Sequence, residues 1–326
     1  MNHKRKQLKG KNHGKKGGKR NQITTHKSVR FTKANTSFNN IHPDYKQSYF
    51  IQHFLTIYNT TAQEIFSNAK MEFRYFCFRY LDNIRKLTLL PVQLNNTNEA
   101  VLVEYRCFPH IEFLIRNCIH KLGVNWSHTI ICGNLNYTFV KNICNNIDAN
   151  IKIINTGHDN MTQRTYSDYV ATIDFWNLLV GQKILLYQED SCIFTSNIHE
   201  FLHWDYIGAP WLCKHPEIPT NVGNGGFSLR TKQCMIDVIN HVSIQKTYIP
   251  HKTLVTMKRS FVDNCPEDIY FSYNISKHNI GVIADFDSGM KFSSESITHI
   301  NGSLGGHNFW LSDHNWRQRI YTSCVE

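Results

Sequence analysis

Short, almost wholly apolar runs recur between Ala100 and Tyr187, with amphipathic stretches between them. AVLVEY (Ala100–Tyr105), HTIIC (His128–Cys132), IKII (Ile151–Ile154) and KILLY (Lys183–Tyr187) have the length and β-branched content of buried strands. The intervening stretches have helical spacing. IEFLIRNCIHKLG is opened by Pro109 and stopped by Gly123, YTFVKNICNNI follows, and a third helix is predicted from about Arg164 to Val180. Strands joined by helices of this length predict an α/β fold, a mostly parallel sheet with right-handed crossovers. Ligands bind such sheets beyond the carboxyl ends of the strands, which puts Glu104, Tyr105, Arg106, Gln188 and Asp190 on one rim.

The flanks of this core read differently. Residues 46–90 space their apolar positions by three and four, predicting helices, until Pro91 and the polar NNTNE (Asn95–Glu99) break the pattern. The aromatic stripe Phe73, Tyr75, Phe76, Phe78 and Tyr80 belongs to core or interface. After the core, NVGNGGFSLR (Asn221–Arg230) predicts a glycine turn entering a strand. Thr231–His241 and PEDIYFSYNIS (Pro266–Ser276) predict helices, GVIADF a late strand, and GSLGGHNFW (Gly302–Trp310) a glycine-rich loop. There is no internal repeat.

Charge changes the picture at one end only. The net charge is +11, yet residues 1–33 hold twelve Lys/Arg and no acid, leaving the remainder near neutrality. Such a segment cannot offset its ordering entropy and is expected to be a disordered basic tail, suited to contacting nucleic acid or another polyanion, to acting as a nuclear-import signal (KRK, KKGGKR), or simply to solubilising. Residues 34–95 then form an N-terminal helical segment and 96–326 the main domain. At 41% hydrophobic and 13% aromatic residues the composition is that of a globular protein. Ten cysteines without a C-x-x-C pair, mostly inside apolar segments, point to reduced buried thiols. No apolar run reaches the ~18 residues of a membrane span, and no secretory core opens the chain. The expected location is soluble and intracellular.

The candidate chemistry lies in four places. Asp190 closes the KILLYQED run, where a carboxylate can bind a divalent cation through oxygen or cap a turn. Gln188 stands two residues earlier, on the same side of an extended chain. Gly225 and Gly226 with Asn224 permit close backbone approach, or form an ordinary hairpin turn. The pair Glu267–Asp268 opens a helix, as dipole decoration or as a general base whose pKa its neighbour raises. His307 follows two glycines, and a neutral imidazole is a reasonable Mn²⁺ ligand beside carboxylates. A G-x-G-x-x-G turn before a helix is absent, as is a P-loop, which argues against a dinucleotide enzyme.

Taken in order, the strand-end acid, glycine loop, acidic pair and late histidine resemble the landmarks of GT-A type glycosyltransferases. The closer resemblance is to an uncharacterised family of putative glycosyltransferases. It rests on VEYR (Val103–Arg106), QEDS (Gln188–Ser191), FLHWDYIGAPW (Phe201–Trp211), VGNGGFSLR (Val222–Arg230), PED (Pro266–Asp268) and GGH (Gly305–His307), and spans about residues 100–310. The resemblance implies a GT-A-like Rossmann-type mixed sheet, with Mn²⁺ or Mg²⁺ as cofactor. It also implies a nucleotide-sugar donor, a UDP-sugar favoured, and a glycan, protein or small-molecule acceptor. It assigns Asp190 and His307 to the metal, and Glu104, Arg106, Gln188 and Asp190 to the donor. Asp268 becomes the base of an inverting transfer, with Glu267 as fallback, and Asp205, Trp211, Asn224, Gly225 and Gly226 shape the sugar and acceptor pocket. One departure is that Gln188 stands where the family motif has its first Asp. Two other classes are consistent with the same residues: a non-catalytic glycan- or polyanion-binding protein on a degenerate transferase fold, and a metal-dependent nucleotidyltransferase.

Overall fold

The computed structural model describes residues 49–212, 222–247 and 265–324. The basic segment 1–33, Cys213 and Asn221 lie outside the described residues. The chain divides into two compact units, Met1–Lys46 and Gln47–Glu326, and all that follows concerns the second.

A six-stranded sheet forms its centre. The strands are β1 (Asn98–Val103), β2 (Trp126–Cys132), β3 (Lys152–Asn155), β4 (Lys183–Tyr187), β6 (Tyr206–Gly208) and β7 (Phe227–Thr231), in the order β3-β2-β1-β4-β7-β6. The first four are mutually parallel: Val101 pairs with Thr129 on one side and Leu186 on the other. β7 joins antiparallel to β4, and β6 antiparallel to β7. The protein is therefore α/β with a mixed, mostly parallel sheet flanked by helices. The chain builds outward from β1 to β3, then crosses back to lay β4 on the other side of β1. Strand order reverses between β1 and β4, the place where such sheets open a crevice at their carboxyl ends.

The four runs predicted between Ala100 and Tyr187 lie inside or beside β1 to β4. The inner strands are buried on both faces, all seven residues of β2 among them, while the edge strand β3 is only half-buried. On one face Phe175, Trp176, Tyr270 and Phe271 pack against Val101, Ile184 and Leu186. Burying a phenylalanine of this kind contributes about 1.5–3 kcal/mol.

Helices α1 (Tyr49–Tyr58), α2 (Ala62–Ser67), α3 (Ala69–Arg79) and α4 (Leu81–Ile84) precede the sheet. Thr61 and Glu64 form a capping box on α2, and the Asn68 side chain caps α3. Helix α5 (Ile111–Leu122) ends on Gly123, whose φ of 69° suits a residue without Cβ. Helix α6 (Tyr137–Asn145) leads to β3. No helix among the described residues is long and apolar enough to cross a membrane.

Three local expectations are corrected. The helix predicted over Arg164–Val180 is two, α7 (Gln163–Val170) and α8 (Ile173–Asn177). Thr172 caps the second by accepting from the Phe175 amide. GVIADF is not a strand. Only Ile283 bridges Tyr206, because Asp285 caps a new helix, Phe286–Phe292, by accepting from the Ser288 amide. Within the segment read as a glycine loop, Gly305–His307 is strand β9. It is the centre of a small sheet between β5 (Ser191–Ile193) and β8 (Ser293–Ser294).

Candidate functional site at the carboxyl edge of the sheet

The small sheet decides which residues meet. β5 starts one residue after Asp190, and its Ser191 pairs with His307 of β9. The Asn308 amide donates to the Asp190 carbonyl at 3.1 Å. The late histidine is thus brought to the strand-end acid by backbone pairing: His307 Nε2 stands 3.3 Å from Asp190 Oδ1.

Gln188 and Asp190 are not on an extended segment. The Ser191 amide donates to the Gln188 carbonyl at 3.1 Å, closing a tight turn. In consequence Gln188, Glu189 and Asp190 all line one cavity of about 410 Å³, together with Glu104, Arg106, Tyr166, Lys70 and His307. Glu104 and Arg106 are locked as a pair, Nε–Oε1 2.7 Å and Nη2–Oε2 2.8 Å.

A slightly larger groove, about 440 Å³, lies between the N-terminal helices and α5–α6. Its charges already satisfy one another, Arg85 bonding Glu112 at 2.6 and 2.8 Å and Asp82 at 3.1 Å. It holds none of the strand-end acids.

The remaining predicted residues divide. Gly226 abuts the site. A Cβ there would come within 2.5 Å of the His307 ring. Gly225 faces the other way, its amide donating to Asp268 Oδ2 at 3.2 Å. The glycine segment thus separates His307 from Asp268, and Asp268 does not line the cavity. Glu267 turns inward and is bonded to buried Arg230 at 2.5 and 3.2 Å. Trp211 packs on Ile269, as does Cys265. Asp205 is elsewhere. It sits at the amino end of β4, 3.9 Å from Lys183 Nζ, and accepts from the Val282 amide. That is the opposite rim from Asp190.

Sequence reading missed four residues. Lys70 and Arg74, one turn apart on α3, reach this rim. Lys70 Nζ is 2.6 Å from Asp190 Oδ2 and 3.0 Å from Glu189 Oε1, and Arg74 bonds Glu189 at 2.6 and 3.0 Å. Glu189 itself is buried among these cations and His110, at 3.1 Å. Glu295 accepts from His307 Nδ1 at 2.7 Å. The i, i+4 spacing of Lys70 and Arg74 was the available signal for one helix face.

These partners set the electrostatics. Burial opposes the Asp190 anion, but the charges of His307 and Lys70 hold its carboxyl down at about 2. Burial also opposes the His307 cation, and Asp190 and Glu295 override it, lifting the imidazole to about 10.

Asp190 Oδ1 is buried and accepts no aligned hydrogen bond, although the His307 ring is within ion-pair distance. With Glu295 on Nδ1, the Nε2 lone pair of neutral His307 would face that orphaned oxygen. The Asn308 side-chain amide also reaches Nε2, at 3.0 Å, and a proton or a metal ion between Nε2 and Oδ1 would satisfy the buried oxygen. A carboxylate behind a ligating histidine is the usual support for the second. The residues therefore fit one divalent cation through Asp190 Oδ1 and His307 Nε2. Among the described residues no group of three or more His, Cys, Asp or Glu is arranged to hold a metal, so other donors would come from substrate or water.

Gly226→Ala tests how tightly this corner is built. His307 cannot retreat because Glu295 holds it from behind. The added methyl is expected to cost about 1–3 kcal/mol in urea denaturation.

A family model described as "Protein of unknown function (DUF5672)" matches residues 149–307. None of the curated proteins matches the chain. Among similar solved structures is the inositol-1-phosphate CTP transferase from T. maritima, at 9% identity and TM-score 0.40, over 70% of this chain and 96% of that one. The 4-diphosphocytidyl-2C-methyl-D-erythritol synthase from Anaerococcus prevotii aligns at 9% identity and TM-score 0.34, over 56% and 97%. S. aureus TarS 1-349 aligns at 9% identity and TM-score 0.35, over 56% and 55%. At such scores the description of the fold rests on the strand order of this chain alone.

Proposed function

We propose that the cavity binds the nucleoside diphosphate of a nucleotide sugar and that the protein is a glycosyltransferase. One observation carries this reading. The strand-end acid Asp190 and the late histidine His307 face each other at 3.3 Å, at the point where strand order reverses, with Gly226 against the ring. A divalent cation held there, Mn²⁺ or Mg²⁺, would neutralise charge on the departing diphosphate. Arg106, fixed by Glu104, would face the donor phosphates, and Gln188 and Tyr166 its polar groups.

Asp268 would lie on the acceptor side of the glycine segment. It would take the proton of the acceptor hydroxyl as that oxygen bonds the anomeric carbon and the bond to diphosphate breaks, giving inversion. Glu267 is unsuited to that role, because its two oxygens are engaged by Arg230. Asp205 is set aside from the sugar pocket by its position on the opposite rim.

The test is a thermal-shift screen of nucleotide sugars with and without Mn²⁺, followed by turnover of the donor that stabilises. One donor is expected to raise Tm; saturation at 100 times Kd corresponds to about 2.7 kcal/mol. Asp190→Ala should then reduce turnover by about 10²-fold or more. Absence of any donor-dependent shift would sink the reading. Release of pyrophosphate from a nucleoside triphosphate would replace it with nucleotidyl transfer.

A further inference from the structure

Three carboxylates meet the cavity or its wall, Glu104, Glu189 and Asp190, and three fixed cations answer them, Arg106, Arg74 and Lys70. With nothing bound these six charges balance. A diphosphate brings further negative charge beyond what one divalent cation neutralises, and a side-chain cation released from its carboxylate would offset the remainder.

The three cations are not equally free. Arg74 is bidentate on Glu189, its guanidinium 4.3 Å from the Phe108 ring centre, and its side chain is 11% exposed. Arg106, although 44% exposed, is bidentate on Glu104, donates its backbone amide to the same carboxylate, and lies 4.6 Å from the Phe108 ring centre. Lys70 makes only point contacts, through an ammonium on a flexible stem, and its side chain is 37% exposed at the cavity. Lysine in this state is a compact charge that can leave one anion for another at little geometric cost. It also lies on Asp190 Oδ2, leaving the orphaned Oδ1 to whatever His307 faces.

Helix α3 is held firmly enough to aim it. Phe73 stacks on Trp310 at 4.6 Å and meets Phe309 edge-on, Glu72 pairs with Arg317 of the C-terminal helix, and Arg74 anchors the same turn to Glu189.

We infer that Lys70, from the helical segment before the sheet, is a diphosphate-binding residue of this site, resting in the unliganded protein on Asp190 and moving onto the phosphates of the donor. The inference rests on the donor-site reading above and deepens it. The N-terminal helices then complete the donor site as well as covering the sheet.

The experiment is calorimetric titration of the full chain with UDP and UMP, in EDTA and in Mn²⁺, for wild type, Lys70→Met and Lys70→Arg. Circular dichroism and Tm establish that each variant folds. Wild type is expected to bind UDP, with Lys70→Met weaker by about 10–100-fold, the range of one charge-assisted hydrogen bond to phosphate. Lys70→Arg should stay within a few-fold of wild type. UMP, which lacks the second phosphate, should lose much less in Lys70→Met. Lys70→Met binding UDP as tightly as wild type, even with a lowered Tm, overturns the inference and leaves the donor site standing. The same holds if UMP and UDP weaken equally. Wild type binding neither nucleotide, with or without Mn²⁺, overturns the donor-site reading and this inference with it.

Discussion

Arg230→Met is expected to destabilise the protein by about 3–5 kcal/mol, a fall in Tm on the order of 10 °C. Arg230 on β7 is completely buried, and its guanidinium meets Glu267 at 2.5 Å, Ser228 Oγ at 3.0 Å and the Tyr206 ring at 4.8 Å. Methionine fills much of the same volume, so the loss is one of charge. Glu267, itself buried, loses the cation that balances its charge, and that uncompensated desolvation dominates the cost. The double variant Arg230→Met with Glu267→Leu is expected to regain most of the stability, since removing both charges leaves neither uncompensated. A double-mutant cycle in urea separates the two effects. A single variant within about 1 kcal/mol of wild type would mean that the pair contributes little. The pair also sets the first turn of the helix Glu267–His278, and hence where Asp268 stands relative to Gly225.

The sheet was legible because its inner parallel strands β1, β2 and β4 are buried on both faces and so read as unbroken apolar runs. Their alternation with helices fixes the class of fold. The order β3-β2-β1-β4 was not legible, because the crossover rule fixes handedness and not the side of β1 on which β4 lands; β7 was foreshadowed by FSLR after its glycines. What failed was local. Thr172 and Asp285 each begin a helix through one side-chain hydrogen bond, a signal smaller than the periodicity around it. β9 was hidden because Gly305 and Gly306 have no side chains to alternate. They are glycines for another reason: a Cβ on Gly306 would lie 2.8 Å from the Phe309 ring, and one on Gly305 2.7 Å from the Cys192 carbonyl.

The site was legible where residues follow strands of the main sheet and illegible where they arrive from elsewhere. Glu104, Arg106, Gln188 and Asp190 share a cavity because β1 and β4 are neighbours. Glu189 escaped notice because an extended chain would have turned it away; the turn at Gln188–Ser191 brings it in. Lys70 and Arg74 arrive together from α3 and Glu295 from the far end of the chain; the i, i+4 spacing marks a helix face but does not encode which contact that face makes across the fold. Asp205 shows the converse error. Proximity to a glycine motif in sequence says nothing about which end of an antiparallel strand pair a residue occupies.

Glu189→Gln is expected to cost a further about 3–5 kcal/mol, and to do so unevenly along the chain. The Glu189 carboxylate is buried against Arg74 at 2.6 Å, Lys70 at 3.0 Å and His110 at 3.1 Å, while His110 Nδ1 meets the Tyr58 hydroxyl at 2.7 Å. One side chain therefore ties α3, the start of α5 and, through His110, α1 to the turn after β4. Glutamine keeps the shape and one acceptor but removes the charge, leaving Arg74 buried without a counter-ion. The helices should loosen before the sheet does, since β1 and β4 keep all their pairing partners. Hydrogen exchange is the discriminating measurement. Amides in residues 49–84 should lose protection by a larger factor than those in β1, β2 and β4. Equal loss everywhere would mean that Glu189 supports the domain as a whole. Local loss would identify it as the tie that holds Lys70 at the cavity beyond β4.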